Sequence, residues 1–213
     1  MKMDCVTVSD VEIEDFGAER PLLYGECEAL PFRCHWEGAV AMPQEGGVAY
    51  VGASSEGLSF YTRLIDSDPM STAIQDNEPL FQLGDVAEFF IKPGVDRPEY
   101  WEIHLSPNDL MMDLLFPRRG AIGDGVATWE EIVAADSGAR KRVQVLSDGW
   151  AAQLVVPWAA FDAQSAPDKG EVWQFAVCRY NYNGGLESPE LSSVAPLTEA
   201  GFHRHEEYLD LVF

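Results

Sequence analysis

Two glutamates and one histidine near the middle of the chain have the side chains best suited to chemistry. Glu88 lies in the segment LGDVAEFFI (residues 83–91), and Glu102 and His104 lie in YWEIHL (residues 100–105). Carboxylates accept hydrogen bonds, and imidazole can donate or accept them. Beside the aromatic residues of these segments, the three groups form either a polar–aromatic binding surface or a simply solvated face. Which of the two it is determines how the chain functions.

Both segments alternate in the manner of β-strands, and alternate residues of a strand face opposite sides of its sheet. Asp85, Ala87, Phe89 and Ile91 share one side of the first segment, and Val86, Glu88 and Phe90 share the other. In the second, Trp101, Ile103 and Leu105 oppose Tyr100, Glu102 and His104. If the two segments pair as a hairpin, Glu88, Glu102 and His104 project together. We expect three more side chains on that face: Tyr61, Arg63 and Tyr180.

Strand-like runs recur along the chain, separated by Gly, Pro, Asp and Asn clusters. Besides the two central segments, they cover residues 48–51, 58–65, 110–116, 142–146, 150–156, 173–180 and 208–213. The Asp148-Gly149 step predicts a tight hairpin, and residues 157–161 and 129–135 predict two short helical turns. Residues 1–47 are expected to form an irregular strand and loop region. The pattern predicts one all-β domain over residues 1–213, a two-sheet antiparallel β-sandwich of jelly-roll or immunoglobulin-like type.

Composition restricts the possible partners. Thirty-six Asp and Glu residues face 14 Lys and Arg residues, for a formal net charge of -22. Such a field repels phosphate backbones, which argues against nucleic acid and anionic membranes. No apolar run approaches the roughly 20 residues that a membrane helix requires, and the N-terminus lacks the features of a secretory signal. The sequence therefore predicts a cytoplasmic protein, or a secreted or periplasmic one whose signal has been removed; it leaves the oligomeric state open.

The cysteines, a pair of histidines and an acidic loop offer three candidate metal sites. The spacing of Cys27 and Cys34 matches no zinc signature and leaves free thiols or a disulfide as alternatives. His203 and His205 would share a face on a strand and could ligate a transition metal. Calcium prefers 6 to 8 oxygen ligands, and one loop concentrates such oxygens. Its candidate calcium ligands are Asp66, Asp68 and Asp76.

Four blocks of this sequence together resemble the family 9 carbohydrate-binding modules and the similar β-sandwiches that include DOMON domains. The blocks are GDVAEFFI (84–91), YWEIH (100–104) running into SPN (106–108), GW through VPW (149–158), and FHR through the C-terminal Phe (202–213). A further strand, Trp173 to Arg179, also matches. The resemblance covers about residues 48 to 213, and the order and spacing of the blocks carry it more than any single block.

The resemblance implies a non-catalytic sandwich that binds a carbohydrate, often with structural calcium. In the family, two aromatic rings enclose a terminal sugar, and a glutamate of an Asp-x-x-Glu strand bonds its hydroxyls. Glu88 matches that glutamate, Phe202 the final ring, and Phe81 or its neighbour the first. His104 and Cys178 occupy positions where the family usually has Arg and Gln. The implied ligand-binding residues are Phe81, Glu88, Glu102, His104, Tyr180 and Phe202.

Other readings of the same residues stay open. The sandwich could be an accessory or interaction domain without sugar binding, which an internal ion pair at Glu88 would favour. A glycosidase needs two carboxylates about 5 Å apart for retention. Glu88 and Glu102 could lie about one strand spacing apart, which is compatible with retention on distance alone, but an open sheet is a poor setting for the raised pKa of a catalytic acid. Haem ligation would need Met111, Met112 or His104. On the opposite sheet face, we expect Arg179 to pair with a buried carboxylate such as Asp85.

Overall fold

The computed structural model describes residues 1–38 and 41–213. Within them the chain forms thirteen β-strands and two short α-helices. The strands before the central hairpin are β1 (Lys2–Asp4), β2 (Val6–Thr7), β3 (Leu30–Pro31), β4 (Gly47–Ala53) and β5 (Gly57–Ile65). The hairpin is β6 (Val86–Lys92) and β7 (Tyr100–Leu105), and the strands after it are β8 (Met111–Phe116), β9 (Arg140–Leu146), β10 (Gly149–Pro157), β11 (Val172–Asn181), β12 (Glu190–Ser193) and β13 (Leu209–Val212).

The strands form two sheets. The seven-stranded sheet runs β1-β13-β11-β6-β7-β8, with β12 also paired to β11. The six-stranded sheet runs β2-β4-β5-β10-β9, with β3 also paired to β4. This is the predicted all-β sandwich, with one difference: β1 pairs parallel with β13, and β2 pairs parallel with β4. The sheets are therefore mixed, because the N-terminal segment adds one parallel strand to each.

The core lies between the sheets and consists of the apolar sides of alternating strands. Phe60 of the six-stranded sheet packs against Phe89 and Phe175 of the other, with ring centroids 5.4 and 5.9 Å apart. Trp150, Trp158 and Trp173 are also buried in this core. Burial of apolar area at about 25 cal/mol per Å² drives this packing. The two sheets thus share one hydrophobic cluster.

The predicted strand positions agree with the structure to within about two residues. The Asp148-Gly149 turn joins β9 and β10 in antiparallel register, with Gly149 opposite Leu146. The sequence missed β12 and the helix α1 (Leu80–Leu83), and it predicted α2 (Trp129–Val133) two residues too long. Residues 157–161 form a 3-10 turn, Trp158–Phe161. Further 3-10 turns cover Leu22–Tyr24, His35–Glu37 and His205–Glu207.

Residues 1–47 are mostly irregular, as expected, and part of them covers the outer side of the six-stranded sheet. Tyr24 stacks on Tyr61 at 5.7 Å between ring centroids, and Tyr50 lies beside both. Tyr61 is therefore buried on the other sheet, far from the predicted binding face. Arg63 lies on the same strand and bonds Gly17 and Asp148. The expectation that Tyr61 and Arg63 join Glu88 on one face is wrong, because their strand belongs to the second sheet.

Among the described residues, no helix combines the length and the apolar character needed to cross a bilayer. All four cysteines are free thiols, and Cys27 and Cys34 are both buried. Of the two alternatives for Cys27 and Cys34, the structure therefore has the thiols.

Candidate functional site

The hairpin of β6 and β7 has the register that the sequence predicts. Glu88 lies opposite His104, and Phe90 lies opposite Glu102. Because strand partners share a face, Glu88, Glu102 and His104 project together from the outer side of the seven-stranded sheet. On the next strand, Cys178 lies opposite Glu88, and Tyr180 lies two residues further along the same face.

Two short helices and a C-terminal loop cover part of this outer face. Tyr182 donates a hydrogen bond from its hydroxyl to the carbonyl oxygen of Phe81 at 2.6 Å, which ties α1 to the sheet. Gly84 follows α1 with φ +152, and a Cβ there would lie 2.3 Å from the carbonyl oxygen of Met70. Only glycine fits this approach of the two backbones. Phe81 is consequently held over the sheet, with its ring edge-on to His104 at 5.9 Å.

The second helix, α2, presents a tryptophan to the same face. Thr128 caps the helix: its hydroxyl accepts from the backbone N–H of Glu131, and the Glu131 carboxylate accepts from the backbone N–H of Thr128. This capping box fixes the first turn. Ile132 is buried against the sheet, while Trp129, at the first helical position, remains 37% exposed. Sequence reasoning left Trp129 out of the site; the Thr-x-x-Glu capping pattern beside a tryptophan was the available signal.

Together these elements enclose a small cavity of about 120 Å³. It is smaller than the roughly 300–1,000 Å³ typical of sites that enclose drug-sized ligands. Its walls are mainly aromatic, with two carboxylates and an imidazole at one side. The lining residues are Phe81, Glu88, Phe90, Glu102, Leu114, Phe116, Trp129, Tyr180, Phe202 and His203.

Five of the six predicted ligand-binding residues line this cavity, and the sixth lies beneath it. His104 is fully buried and supports the two glutamates from below. Glu88 and Glu102 are only 2% and 6% exposed, so the three groups are not openly displayed as the sequence suggested. The covering layer of helices and loop, which strand patterns do not reveal, accounts for this burial.

Phe202 is also less accessible than a stacking platform needs to be. Its ring packs edge-on against Phe90 and Tyr180, at 6.2 and 5.6 Å between ring centroids, and Trp36 lies 6.4 Å away. Only 5% of the residue is exposed. Phe202 therefore forms part of the wall, and Trp129 supplies the most exposed of the Phe, Tyr and Trp rings that line the cavity.

The two glutamates share one imidazole nitrogen. Nε2 of His104 lies 2.7 Å from Oε1 of Glu102 and 3.3 Å from Oε1 of Glu88. Burial raises the pKa of Glu88; the facing His104 opposes this, and the Glu102 carboxylate adds to it. Burial lowers the pKa of His104, but the two carboxylates outweigh burial and the net direction is upward. The pKa values of Glu88 and His104 are thus both raised, Glu88 by burial and His104 by the two carboxylates that face its ring.

Two buried atoms of this cluster lack hydrogen-bond partners. They are Oε2 of Glu102 and Nδ1 of His104. Nε2 of His203 lies 3.7 Å from the unpartnered Glu102 oxygen. The hydroxyl of Tyr100 bonds the other ring nitrogen of His203 at 2.7 Å. His203 and His205 do not lie on a strand, which was the condition for their sharing a face: His205 begins a 3-10 turn and packs on Tyr100.

Two of the three residues predicted to bind calcium, Asp66 and Asp76, accept hydrogen bonds from other parts of the protein. Asp66 is buried, and its carboxylate accepts from Asp68 N–H, Trp150 Nε1 and Arg179 Nη2. Asp76 accepts from the backbone N–H of Met111. In the part of the chain that the structure describes, Asp66, Asp68 and Asp76 do not bring three ligand atoms together. Two of the three carboxylates thus accept hydrogen bonds from the protein itself, and calcium binding by this set stays a prediction.

Arg179 points away from Cys178, as predicted, but its partner is Asp66 at 2.9 Å and not Asp85. Asp85 instead accepts the backbone N–H groups of Met70 and Tyr182, at 2.7 and 2.6 Å. The correction has a simple cause: Asp66 lies at the end of β5 in the facing sheet, where Arg179 reaches it across the core.

The fold and the cavity define a β-sandwich with a polar–aromatic depression on the outer face of one sheet. Solved structures share this architecture over nearly the whole chain. One is a candidate carbohydrate-binding protein from Bacteroides uniformis ATCC 8492, at 14% identity, with 100% of this chain and 98% of that chain covered and a TM-score of 0.72. No family model and no curated protein matches the sequence.

A family 9 carbohydrate-binding module from Caldicellulosiruptor kristjanssonii is similar as well. Its complex with cellotriose covers 99% of this chain and 93% of that chain at 12% identity, with a TM-score of 0.67. Its complex with glucose gives the same identity and TM-score, with 100% and 95% covered. The chain therefore has the β-sandwich fold of the family 9 modules, as the sequence resemblance predicted.

Proposed function

We propose that this protein is a non-catalytic carbohydrate-binding β-sandwich whose ligand occupies the cavity between Phe81, Trp129 and the paired glutamates. The observation that carries the proposal is the meeting of aromatic walls with two carboxylates on one face. The fold, shared with modules solved with glucose and with cellotriose, supports it.

The chemistry of the cavity suits a pyranose. A sugar ring has an apolar C–H face, which aromatic rings cover, and a rim of hydroxyls, which carboxylates bond in pairs. Trp129 offers the exposed ring, and Phe81 and Tyr180 are partly exposed beside it. Because the cavity measures only about 120 Å³, we expect it to take a single sugar unit, such as the end of a glycan.

The state of the carboxylates fits binding better than catalysis. Glu88 and Glu102 both contact Nε2 of His104, so neither is free to act alone as nucleophile or acid. One observation nevertheless favours a glycan-acting enzyme as a second candidate. The covering layer buries Glu88 and raises its pKa, which removes the argument that this face is too open for a catalytic acid.

Calorimetric titration with glucose, cellotriose and a panel of other mono- and oligosaccharides tests the main proposal. We expect saturable binding of one sugar unit per chain. Trp129→Ala should weaken binding by about tenfold or more, as loss of an aromatic contact of about 1.4 kcal/mol predicts. Glu88→Gln should weaken it as well, because an NH₂ group, which cannot accept a hydrogen bond, replaces one of the two oxygens available to sugar hydroxyls.

The control is Glu130→Ala, which alters an exposed neighbour of Trp129 on the same helix that does not line the cavity. It should leave sugar affinity unchanged. Absence of binding to the whole panel would reject the proposal and favour an interaction domain, in which the contact between Glu88 and His104 is purely internal. Turnover of chromogenic glycosides, abolished by Glu88→Gln, would establish the enzyme instead.

A further inference from the structure

The buried cluster under the cavity has the composition of a metal site. One ligand atom each from Glu88, Glu102 and His104 lies within 4.8 Å of the other two. Among the described residues, this is the single place where three His, Cys, Asp or Glu side chains meet so closely. All three residues are buried, so the group is more than a set of surface carboxylates.

The spacing of these atoms is close to that of ligands around one ion. Zinc binds imidazole nitrogen at about 2.0–2.1 Å and carboxylate oxygen at about 2.0–2.2 Å, which places tetrahedral ligands about 3.3 Å apart. Nε2 of His104 lies 3.3 Å from Oε1 of Glu88. It lies 2.7 Å from Oε1 of Glu102, the distance of a hydrogen bond through its proton. Replacing that proton by a metal ion requires only a small outward shift of Glu102.

A second observation points to a missing partner. Oε2 of Glu102 is buried and has no hydrogen-bond partner. The side chain is only 7% exposed, and it lines the cavity. Leaving a buried acceptor unsatisfied costs about 1–3 kcal/mol, and more when it is charged. Two carboxylates also share a single imidazole nitrogen here, so at most one positive charge faces two carboxylates. A divalent cation would supply the missing contact and a second positive charge.

A second histidine lies at the cavity rim, outside the group of three. Nε2 of His203 lies 3.7 Å from the unpartnered oxygen of Glu102, and the hydroxyl of Tyr100 holds Nδ1 at 2.7 Å. Ligating histidines are usually oriented in this way, through a hydrogen bond to the second ring nitrogen. His104 lacks such support, because its Nδ1 has no protein partner.

We propose that Glu88, Glu102 and His104 form a binding site for a divalent transition-metal ion of the zinc type, with His203 as a further ligand at the cavity rim. Imidazole together with carboxylates selects such ions over calcium and magnesium, which prefer oxygen alone and, for calcium, 6 to 8 of them. Binding displaces the Nε2 proton of His104. Metal binding does not require the cavity to bind sugar.

The test uses the full chain without a histidine tag, treated with a chelator that is then removed, and without sugar. Zn²⁺ is titrated by calorimetry, and Co²⁺ is followed by visible absorption. We expect one ion per chain and cobalt bands of nitrogen and oxygen ligation. Glu102→Gln, which retains shape and a hydrogen-bond acceptor for His104, should lower Zn²⁺ affinity at least about tenfold. His203→Gln, at a half-exposed side chain, should lower it less.

His35→Gln is the matched control, because His35 adjoins Cys34 in the only adjacent His–Cys pair of the sequence. It should leave affinity unchanged. The proposal is overturned by absence of saturable Zn²⁺ binding, by a Glu102→Gln variant within twofold of the parent, or by a thiolate charge-transfer band that places cobalt at cysteines. Far-UV circular dichroism of each metal-free variant checks that it is folded. If the variant at the buried Glu102 does not fold, the Zn²⁺ affinity of His203→Gln tests the proposal instead. If sugar titrations fail while zinc binds, this inference stands and the proposed function falls.

Discussion

Two buried ionic clusters lie on opposite sides of the seven-stranded sheet, and they differ in how completely their polar atoms are satisfied. On the inner side, Arg179 donates to the carbonyl oxygens of Glu45, Gly46 and Ile65 and to the side chains of Asp66 and Asn181. Of its donors, Nε alone has no partner. On the outer side, His104 and two glutamates leave an imidazole nitrogen and a carboxylate oxygen without partners.

The surroundings of the two clusters differ in the same sense. The Arg179 cluster joins the two sheets and adjoins no cavity of those described, whereas the cluster at Glu88 and Glu102 lies at the wall of the aromatic cavity. Buried polar groups that are satisfied within the protein serve structure, and those left unsatisfied beside a cavity can be satisfied by a ligand. Burial by itself therefore does not distinguish charged groups that stabilise the fold from those that bind a ligand.

The largest effect is expected from breaking the inner cluster. Arg179→Met leaves Asp66 as a buried charge without its partner, and such losses cost about 3–5 kcal/mol in the free energy of unfolding. Urea denaturation measures it. Arg119→Met is the matched control, because the Arg119–Glu206 pair is exposed, and exposed pairs contribute at most about 1 kcal/mol. Equal losses in the two variants would contradict a structural role for the inner cluster.

A pH dependence should come from Asp85, next to the inner cluster. Burial raises its pKa from 3.8 to about 7, with the hydrogen bonds from Tyr182 and Met70 opposing. Because the folded pKa exceeds the unfolded one, the folded state holds more protons between these values, and stability from this group falls as pH rises from about 4 through 7. Urea denaturation at pH 5 and pH 8 should show this loss.

Asp85→Asn removes the titrating group, so the difference in stability between pH 5 and pH 8 should shrink. An unchanged difference would assign the pH dependence to the general charge of the surface. The comparison with the parent protein is needed because the chain carries a net charge of -22, and acidification reduces that repulsion as well.

A smaller effect on stability is expected from the outer cluster. Glu88→Gln should change the free energy of unfolding by less than about 1 kcal/mol, because burial already favours the neutral form of this side chain. Urea denaturation in chelator measures it. A loss as large as that of Arg179→Met would mean that the two clusters serve the same structural purpose.

The smallest effect should come from Trp129→Ala. The ring is 37% exposed, and surface substitutions usually stay within about 0.5 kcal/mol. Thermal unfolding should therefore hardly change, while sugar affinity falls. A clear loss of stability together with unchanged sugar affinity would make Trp129 a packing residue.

The positions of most strands, and the side of the sheet on which each of their side chains lies, could be predicted from the sequence alone. The alternation of the strands predicted that Glu88, Glu102 and His104 share one face. It also predicted that Arg179 and Cys178 face opposite sides of their sheet. The register of β6 with β7 and with β11 agrees with both. These are local properties, since the direction of a side chain from a strand follows from its position in the pleat. The resemblance of blocks in order along the chain gave the sandwich itself.

The segments that cover the outer face of the seven-stranded sheet, and the ion pair between Arg179 and Asp66, follow from the tertiary structure alone. α1, α2 and the loop around Phe202 bury the glutamates and bring Trp129 to the cavity. Arg179 pairs with Asp66 rather than with Asp85 because the stacking of the sheets brings the end of β5 next to β11. Asp66 and Arg179 are 113 positions apart along the chain. Contacts between distant segments depend on how the sheets stack and on where loops return, and no local spacing in the sequence encodes them.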